Sequence, residues 1–175
     1  MRKEELEPMA LPLSKLEPKQ LRSFFITHLD HIYAAKKHVL NNLPQLANLA
    51  HFTDLRNSIL EIKDEISKQI RRMDVIYSLL ETSHGDGSHG GWEGLIDNAF
   101  AAVQDNFDCA ELRDLAIIFH MQNIESLETA SFKVLQMAAV RFRSKEINQL
   151  LKENYDEANS DRLLLLLIMS KYITG

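Results

Sequence analysis

Polar side chains interrupt the apolar stripes of four helical segments, each near the middle of its segment. With a helical period of 3.6 residues, these positions face the same side as the surrounding apolar residues, where a polar group is informative. The interrupting residues are Lys36, Glu65, Gln69, Gln122, Glu125, Glu128, Asn154, Glu157 and Asp161. Because the middles of antiparallel helices share one layer, these side chains are predicted to converge on one polar cluster in the core.

Carboxylates that converge inside a helical bundle are suited to binding two metal ions. Such sites take a glutamate from each of two helices and a Glu-x-x-His pair from each of the other two. The cations offset the mutual repulsion of the acids. Without metal or another cation, buried carboxyl groups have raised pKa values and take up protons.

The elements that must position this cluster are helices, because no alternating run rich in Val, Ile and Thr indicates a strand. Apolar periodicity predicts four long helices and one short helix. Their ranges are 19–43, 54–81, 92–106, 109–142 and 145–173. A separate short piece, 45–50, follows the first helix.

The predicted helix ends follow from proline and capping residues. Pro18 suits the first turn of a helix, and Pro44 marks the end of that helix or a kink in it. Thr53 and Ser144 are predicted N-caps. Asp108 with Glu111, three residues on, has the spacing of a capping box.

Connection lengths determine the predicted topology. Short loops make the first two long helices one antiparallel hairpin and the last two another. A long crossover that carries the short helix joins the hairpins, which is the ferritin-like arrangement. The prediction is an all-α, ferritin-like antiparallel four-helix bundle over residues 19–175, preceded by an N-terminal arm over 1–18.

Composition narrows the function classes. The chain has 175 residues and a formal charge of −5, with acids and bases interspersed, which argues against nucleic-acid binding. Cys109 is the sole cysteine, and no signal peptide or membrane span is apparent, so a cytoplasmic protein is predicted. The segment 163–168 is apolar all round, which predicts a homodimer through the last helix or its neighbour; no other protein partner is indicated.

Four segments in this order and spacing form a recognisable pattern: LDHIYAAKKHVLNNLP (29–44), WEGLID (92–97), LRDLAIIFHMQNIESLETASF (112–132) and DEANSDRLL (156–164). Together they resemble the YciF-like stress-protein family, a bacterial branch of the ferritin-like superfamily. The resemblance spans about 20–170, nearly the whole chain. The resemblance implies a ferritin-like fold, a two-metal site, a link to stress responses, and dimers.

The resemblance also implies which residues would bind metal. The implied set is Glu65, Glu125, Glu128 and Glu157. Lys36 stands where the family has a ligand-type glutamate, and Ile62 stands where the family often has a histidine. The helix that carries Glu125 and Glu128 also lacks the family's histidine between them.

Lys36 has three interpretations. In the first, its stem packs inward while the ammonium reaches solvent. In the second, the ammonium points into the cluster as an internal cation in place of a metal. In the third, the assigned stripe is off by one residue. The acids also have three interpretations. They are solvated residues at the edge of the stripe, or they form a working two-metal site. Alternatively, they form a degenerate site whose carboxylates are hydrogen-bonded to Lys36, Gln69, Gln122 or Tyr33.

Three functions follow from these alternatives. The favoured one is a non-catalytic, stress-associated helical protein with a degenerate metal site and no cofactor. The second is a di-iron or di-manganese carboxylate oxidoreductase or ferroxidase. The third is a helical module that binds another protein through an exposed apolar face.

Overall fold

The computed structural model describes residues 16–85, 92–104 and 108–175. Within these residues, five α-helices follow one another, and one turn of 3₁₀-helix, Val140–Phe142, precedes the last of them. The helices are α1 (Pro18–Leu49), α2 (Thr53–Leu79), α3 (Trp92–Gln104), α4 (Ala110–Ala139) and α5 (Lys145–Thr174). The predicted arm lies mostly outside the described residues, so its conformation stays a prediction.

The four long helices pack in a ring. α1 packs against α2 and α4, and α5 packs against α4 and α2. The short α3 lies across α1 and α4, on the path of the crossover from α2 to α4. Two hairpins joined by a long crossover therefore form the predicted antiparallel bundle.

One apolar core runs the length of the ring and encloses the middles of all four helices. Its largest fully buried side chains include Phe25, Phe132, Leu29, Leu43, Leu55 and Met73. Burying such side chains contributes roughly 1.5–3 kcal/mol each. The polar residues of the cluster are held by this frame.

The prediction that α1 ends at Pro44 is wrong, because α1 continues to Leu49 and takes in most of the separate piece at 45–50. The proline ring removes one helical hydrogen bond. The buried face nevertheless continues past it through Leu46 and Ala47. Two arginines then satisfy carbonyls at the end of the helix: Arg56 Nε donates to Ala47 O at 3.2 Å, and Arg113 Nε donates to Leu49 O at 2.9 Å.

The capping predictions have mixed outcomes. Ser144 is confirmed as an N-cap, because its hydroxyl oxygen accepts a hydrogen bond from Ile147 N at 3.2 Å. Thr53 is instead the first residue inside α2, and Phe52 holds the cap position. The Asp108 prediction is also wrong, since Cys109 is the N-cap of α4.

Asp114, a buried acid of α4, binds the backbone of the turn that leads into α2. Its carboxylate accepts hydrogen bonds from the backbone N–H groups of His51 at 2.9 Å and Phe52 at 2.7 Å, and from the Tyr172 hydroxyl at 2.8 Å. Burial, followed by this hydrogen bond, raises the pKa of Tyr172. One carboxylate therefore ties the α1–α2 turn to the end of α5.

Asp114→Ala is expected to lower the free energy of unfolding by about 3 kcal/mol, because it leaves three donors without their acceptor. Tyr172→Phe, which removes one donor and keeps the ring, should cost about 1 kcal/mol. Urea unfolding followed by circular dichroism measures both. If both variants lost the same unfolding free energy, the hydrogen bonds from the His51 and Phe52 backbone to Asp114 would contribute nothing to stability.

Candidate core site

Lys36 is wholly inside the bundle. Its side chain has 0% exposure, and its ammonium donates a hydrogen bond to Oε2 of Glu128 on α4, whose side chain is also 0% exposed. The nitrogen lies 5.6 Å from the centroid of the Phe132 ring. Of the three interpretations of Lys36, the structure agrees with the one in which the ammonium points into the core.

Three further carboxyl groups lie around this ion pair, on three helices. Glu125 of α4 is 2% exposed, Asp161 of α5 is 4% exposed, and Glu65 of α2 is half-buried. Asp161 and Glu65 are hydrogen-bonded to each other. A hydrogen bond between two carboxyl groups requires a proton on one of them, so the cluster holds at least one proton.

Burial is the main cause of the pKa shifts in the cluster. Burial, and then the charge of Glu128, raise the pKa of Glu125 well above its ordinary value, while Lys36 partly offsets the rise. Burial and then the hydrogen bond with Glu65 raise the pKa of Asp161 from 3.8 to about 8. Asp161 is therefore mostly protonated near neutral pH, and burial favours the protonated form of Glu125 as well, as expected for more buried carboxyls than cations.

Several buried polar atoms of these acids and of Gln69 have no hydrogen-bond partner among the residues that the structure describes. They are Oε2 of Glu125, Oε1 of Glu128, Oδ2 of Asp161 and both amide atoms of Gln69. Gln69 is fully buried one turn after Glu65. An unpaired buried polar atom is costly, and protonation of a carboxyl group lowers that cost because it removes the buried charge.

Glu157, the α5 acid of the predicted ligand set, is held by a different partner. Arg72 of α2 donates to both of its carboxylate oxygens at 2.7 Å, and Arg72 also pairs with Glu153 at 3.0 Å. The α5 acid that interacts with Glu65 and Glu128 is Asp161, one turn further along. The apolar stripe had marked Asp161 as an interruption, whereas the family resemblance selected Glu157.

The neutral residues that were predicted to bind the acids have different surroundings from one another. Gln122 donates to the backbone carbonyl of Arg162 and so binds α4 to α5. Tyr33 stacks on His84 with ring centroids 4.6 Å apart. Gln69, which has no partner of its own, is the predicted amide that lies unpaired beside the cluster.

Comparison with known proteins agrees with this geometry. A family described as a domain of unknown function, DUF892, matches residues 20–173. The chain belongs to the DUF892 family. It is 28% identical over 148 residues to Protein YciF of Escherichia coli K12, covering 84% of this chain and 89% of that protein.

Solved structures place the DUF892 chain among YciF-like folds. The crystal structure of the E. coli stress protein YciF matches with a TM-score of 0.83 and 25% identity, covering 90% of this chain and 99% of that one. YcfI from Rhodopseudomonas palustris matches with a TM-score of 0.75 and 22% identity, covering 89% and 97%. The predicted all-α, ferritin-like fold and the YciF-like resemblance are confirmed. Within the described residues, no helix is long and apolar enough to span a membrane.

The two-metal site that the resemblance implies does not fit the residues of this DUF892 chain. In the described part of the chain, no three His, Cys, Asp or Glu side chains are grouped so that they could hold a metal ion. The Lys36 ammonium instead contacts one predicted ligand, Glu128, and Arg72 binds another, Glu157. The arrangement can hold protons and ion pairs, and we derive no metal-dependent step from it.

Proposed function

We propose that this DUF892 protein is a non-catalytic, stress-associated structural protein whose core is a degenerate metal site. The association with stress rests on the similarity to YciF, which is described as a stress protein. The observation that carries the proposal is the fully buried Lys36–Glu128 ion pair at the middle of the bundle. A positive charge is already fixed where a di-metal enzyme would bind its cations.

The electrostatics support this proposal. Two unit charges about 4 Å apart interact by roughly 4 kcal/mol at an effective dielectric constant near 20. Lys36 gains an interaction of this kind with Glu128, and its ammonium would repel an incoming divalent cation by a larger amount. The same residue therefore stabilises the acids and opposes metal binding.

Elemental analysis tests the proposal. Protein purified from cells supplied with iron and manganese is expected to contain neither metal in stoichiometric amount, because the ammonium occupies the site. The measurement is repeated after incubation with Fe(II) or Mn(II) and gel filtration. Two metal ions per chain in either preparation would contradict the proposal.

One observation favours a second candidate, a di-iron or di-manganese oxidoreductase or ferroxidase. Glu125 and Glu128 each have one buried carboxyl oxygen without a hydrogen-bond partner among the described residues. This candidate requires oxidation of added Fe(II) by oxygen, with loss of the signal in Glu125→Gln. An unchanged Fe(II) absorbance relative to a protein-free control would reject it.

We also propose that the protein is a homodimer through the outer face of α5. Leu163 and Leu167 lie one turn apart on this face and are 53% and 63% exposed, with Leu166 beside them. Contiguous exposed apolar side chains mark interaction surfaces.

Leu163→Lys/Leu167→Lys is expected to convert the dimer to a monomer, because each lysine places a charge in the apolar contact. Light scattering coupled to gel filtration measures the mass. Leu60→Lys, on α2 and similarly exposed at 44%, is the matched control and should remain dimeric. A wild-type monomer at high concentration would refute the proposal.

A further inference from the structure

A cavity of about 280 Å³ lies between α1 and α4, beside the first residue of α3. Its floor includes Ile32 and Leu135, which are 1% and 0% exposed. On the α4 side, the small side chains of Ala130 and Ser131 leave space between the two helices. None of the residues that line the cavity belongs to the acid cluster in the core, so its role is independent of the proposed function.

Aromatic and imidazole rings line the cavity from α1 and α3. Phe24 and His28 lie one helical turn apart on α1, with ring centroids 4.3 Å apart. His28 and His31 contact edge to face at 5.5 Å. Trp92, the sole tryptophan of the chain, adds an indole ring from the start of α3. These rings favour an aromatic ligand, because stacked and edge-to-face ring pairs contribute beyond the area that they bury.

The size of the cavity limits the size of the ligand. An apolar cavity of about 150 Å³ is enough to hold benzene. A cavity of about 280 Å³ therefore has room for two fused aromatic rings. Phe24 and Val134 at its rim are 40% and 47% exposed, so the opening to solvent is apolar as well.

The cavity offers hydrogen bonds rather than ion pairs. No lysine, arginine, aspartate or glutamate is among the described residues that line it. Burial, and then the charge of His31, lower the pKa of His28, so the His28 imidazole is mostly uncharged at neutral pH. A charged ligand would lose its hydration here without gaining a counter-ion, so the cavity favours a neutral molecule.

The polar groups that line the cavity are available to a ligand. Neither the imidazoles of His28 and His31 nor the Ser131 hydroxyl has a hydrogen-bond partner among the described residues. A neutral imidazole has one ring nitrogen that donates and one that accepts. An apolar cavity with a few such groups is the usual form of a small-molecule site, in which the polar groups fix the orientation of the ligand.

We propose that this cavity binds a neutral two-ring aromatic molecule that carries a hydroxyl group. The ligand rings pack against the rings of Phe24, His28 and Trp92, above the aliphatic floor. The hydroxyl group donates a hydrogen bond to an imidazole nitrogen of His28 or His31. The site adds ligand binding to a protein for which we propose no catalysis.

Titration of the wild-type protein with β-naphthol tests the proposal. Because Trp92 is the only tryptophan, its indole N–H gives one signal in proton–nitrogen correlation spectra. This signal is expected to shift saturably, with a dissociation constant of roughly 10–100 μM, ordinary for a ligand of this size. Nuclear Overhauser effects between the naphthol protons and the Val134 methyl groups locate the ligand. The absence of a saturable shift, or of these Overhauser effects at saturation, would overturn the proposal.

Two analogues test the chemistry of the ligand. The methyl ether of β-naphthol cannot donate a hydrogen bond and should bind about tenfold more weakly. The anion β-naphthoate should also bind at least about tenfold more weakly, because it finds no counter-ion. An ether or an anion that binds as tightly as β-naphthol would contradict the assigned ligand class.

Matched variants test the location. Val134→Phe places a ring in the cavity and should abolish the shift, whereas Val75→Phe, at a valine of α2 that is 41% exposed, should leave binding unchanged. His28→Phe/His31→Phe keeps two rings but removes their nitrogens, so it should bind β-naphthol and its methyl ether equally. Unchanged preference for β-naphthol in this variant would overturn the role of the imidazoles. If a variant fails to fold, the Overhauser effects in the wild-type protein decide the location.

Discussion

Lys36→Met is expected to lower the free energy of unfolding by about 3–5 kcal/mol at neutral pH, the usual cost of breaking a buried ion pair by removing one partner. Methionine keeps most of the volume of the lysine stem, so packing changes little. The loss arises because Glu128 stays buried without a cation, next to Glu125. Urea unfolding monitored by circular dichroism measures it.

Two variants show whether the loss belongs to the pair. Lys37→Met removes an exposed lysine and should change stability by no more than about 0.5 kcal/mol. Lys36→Met/Glu128→Met replaces both partners with apolar residues and should recover most of the lost stability, since buried ion pairs exchanged for apolar residues are often neutral or stabilising. A loss below about 1 kcal/mol in Lys36→Met would mean that the ammonium does not neutralise the core.

Stability is expected to fall as the pH rises from about 5 to about 8. Burial raises the pKa of Asp161 to about 8 in the folded protein and also raises that of Glu125, so each carboxyl keeps its proton to a higher pH in the folded protein than after unfolding. Unfolding then releases protons, so this stability is fully present below the pKa of the unfolded carboxyls and is lost as the pH rises through about 8. The folding equilibrium constant falls about tenfold per pH unit for each such proton.

Asp161→Asn provides the control for this pH dependence. The amide cannot ionise and has nearly the same shape, so the variant should lose roughly one of the two released protons and show a shallower decline. Urea unfolding midpoints measured at intervals between pH 5 and pH 8 give the slope of stability against pH. A stability that is flat or rises over this range would show that the cluster is ionised in the folded state.

The sequence was sufficient to predict the helices and their order. Unbroken apolar stripes such as Ile59, Ile62, Ile66 and Met73 of α2 leave no alternative to a helix, and all four are buried. The errors occur at the ends, at Pro44, Thr53 and Asp108, where tertiary contacts decide. Asp114, about sixty residues away in sequence, caps the turn before α2, and no local pattern contains that information.

The site could be predicted only in part. The stripe placed Lys36 on the inner face but left open whether its ammonium points into the core or reaches solvent, and the structure shows the buried ammonium. The choice between Glu157 and Asp161 depended on which turn of α5 faces Glu65, and Arg72 decides it by binding Glu157 at the margin. An apolar stripe in the sequence shows which face of a helix a residue lies on. Which partner that residue contacts depends on the axial register between the two packed helices.

The most direct test of the account is an anomalous-diffraction map from crystals grown with excess Mn²⁺ or Fe²⁺. We expect no anomalous peak among Glu65, Glu125, Glu128 and Asp161, and we expect electron density for the Lys36 nitrogen beside Glu128. A strong peak between these acids, with the lysine turned out of the core, would contradict it.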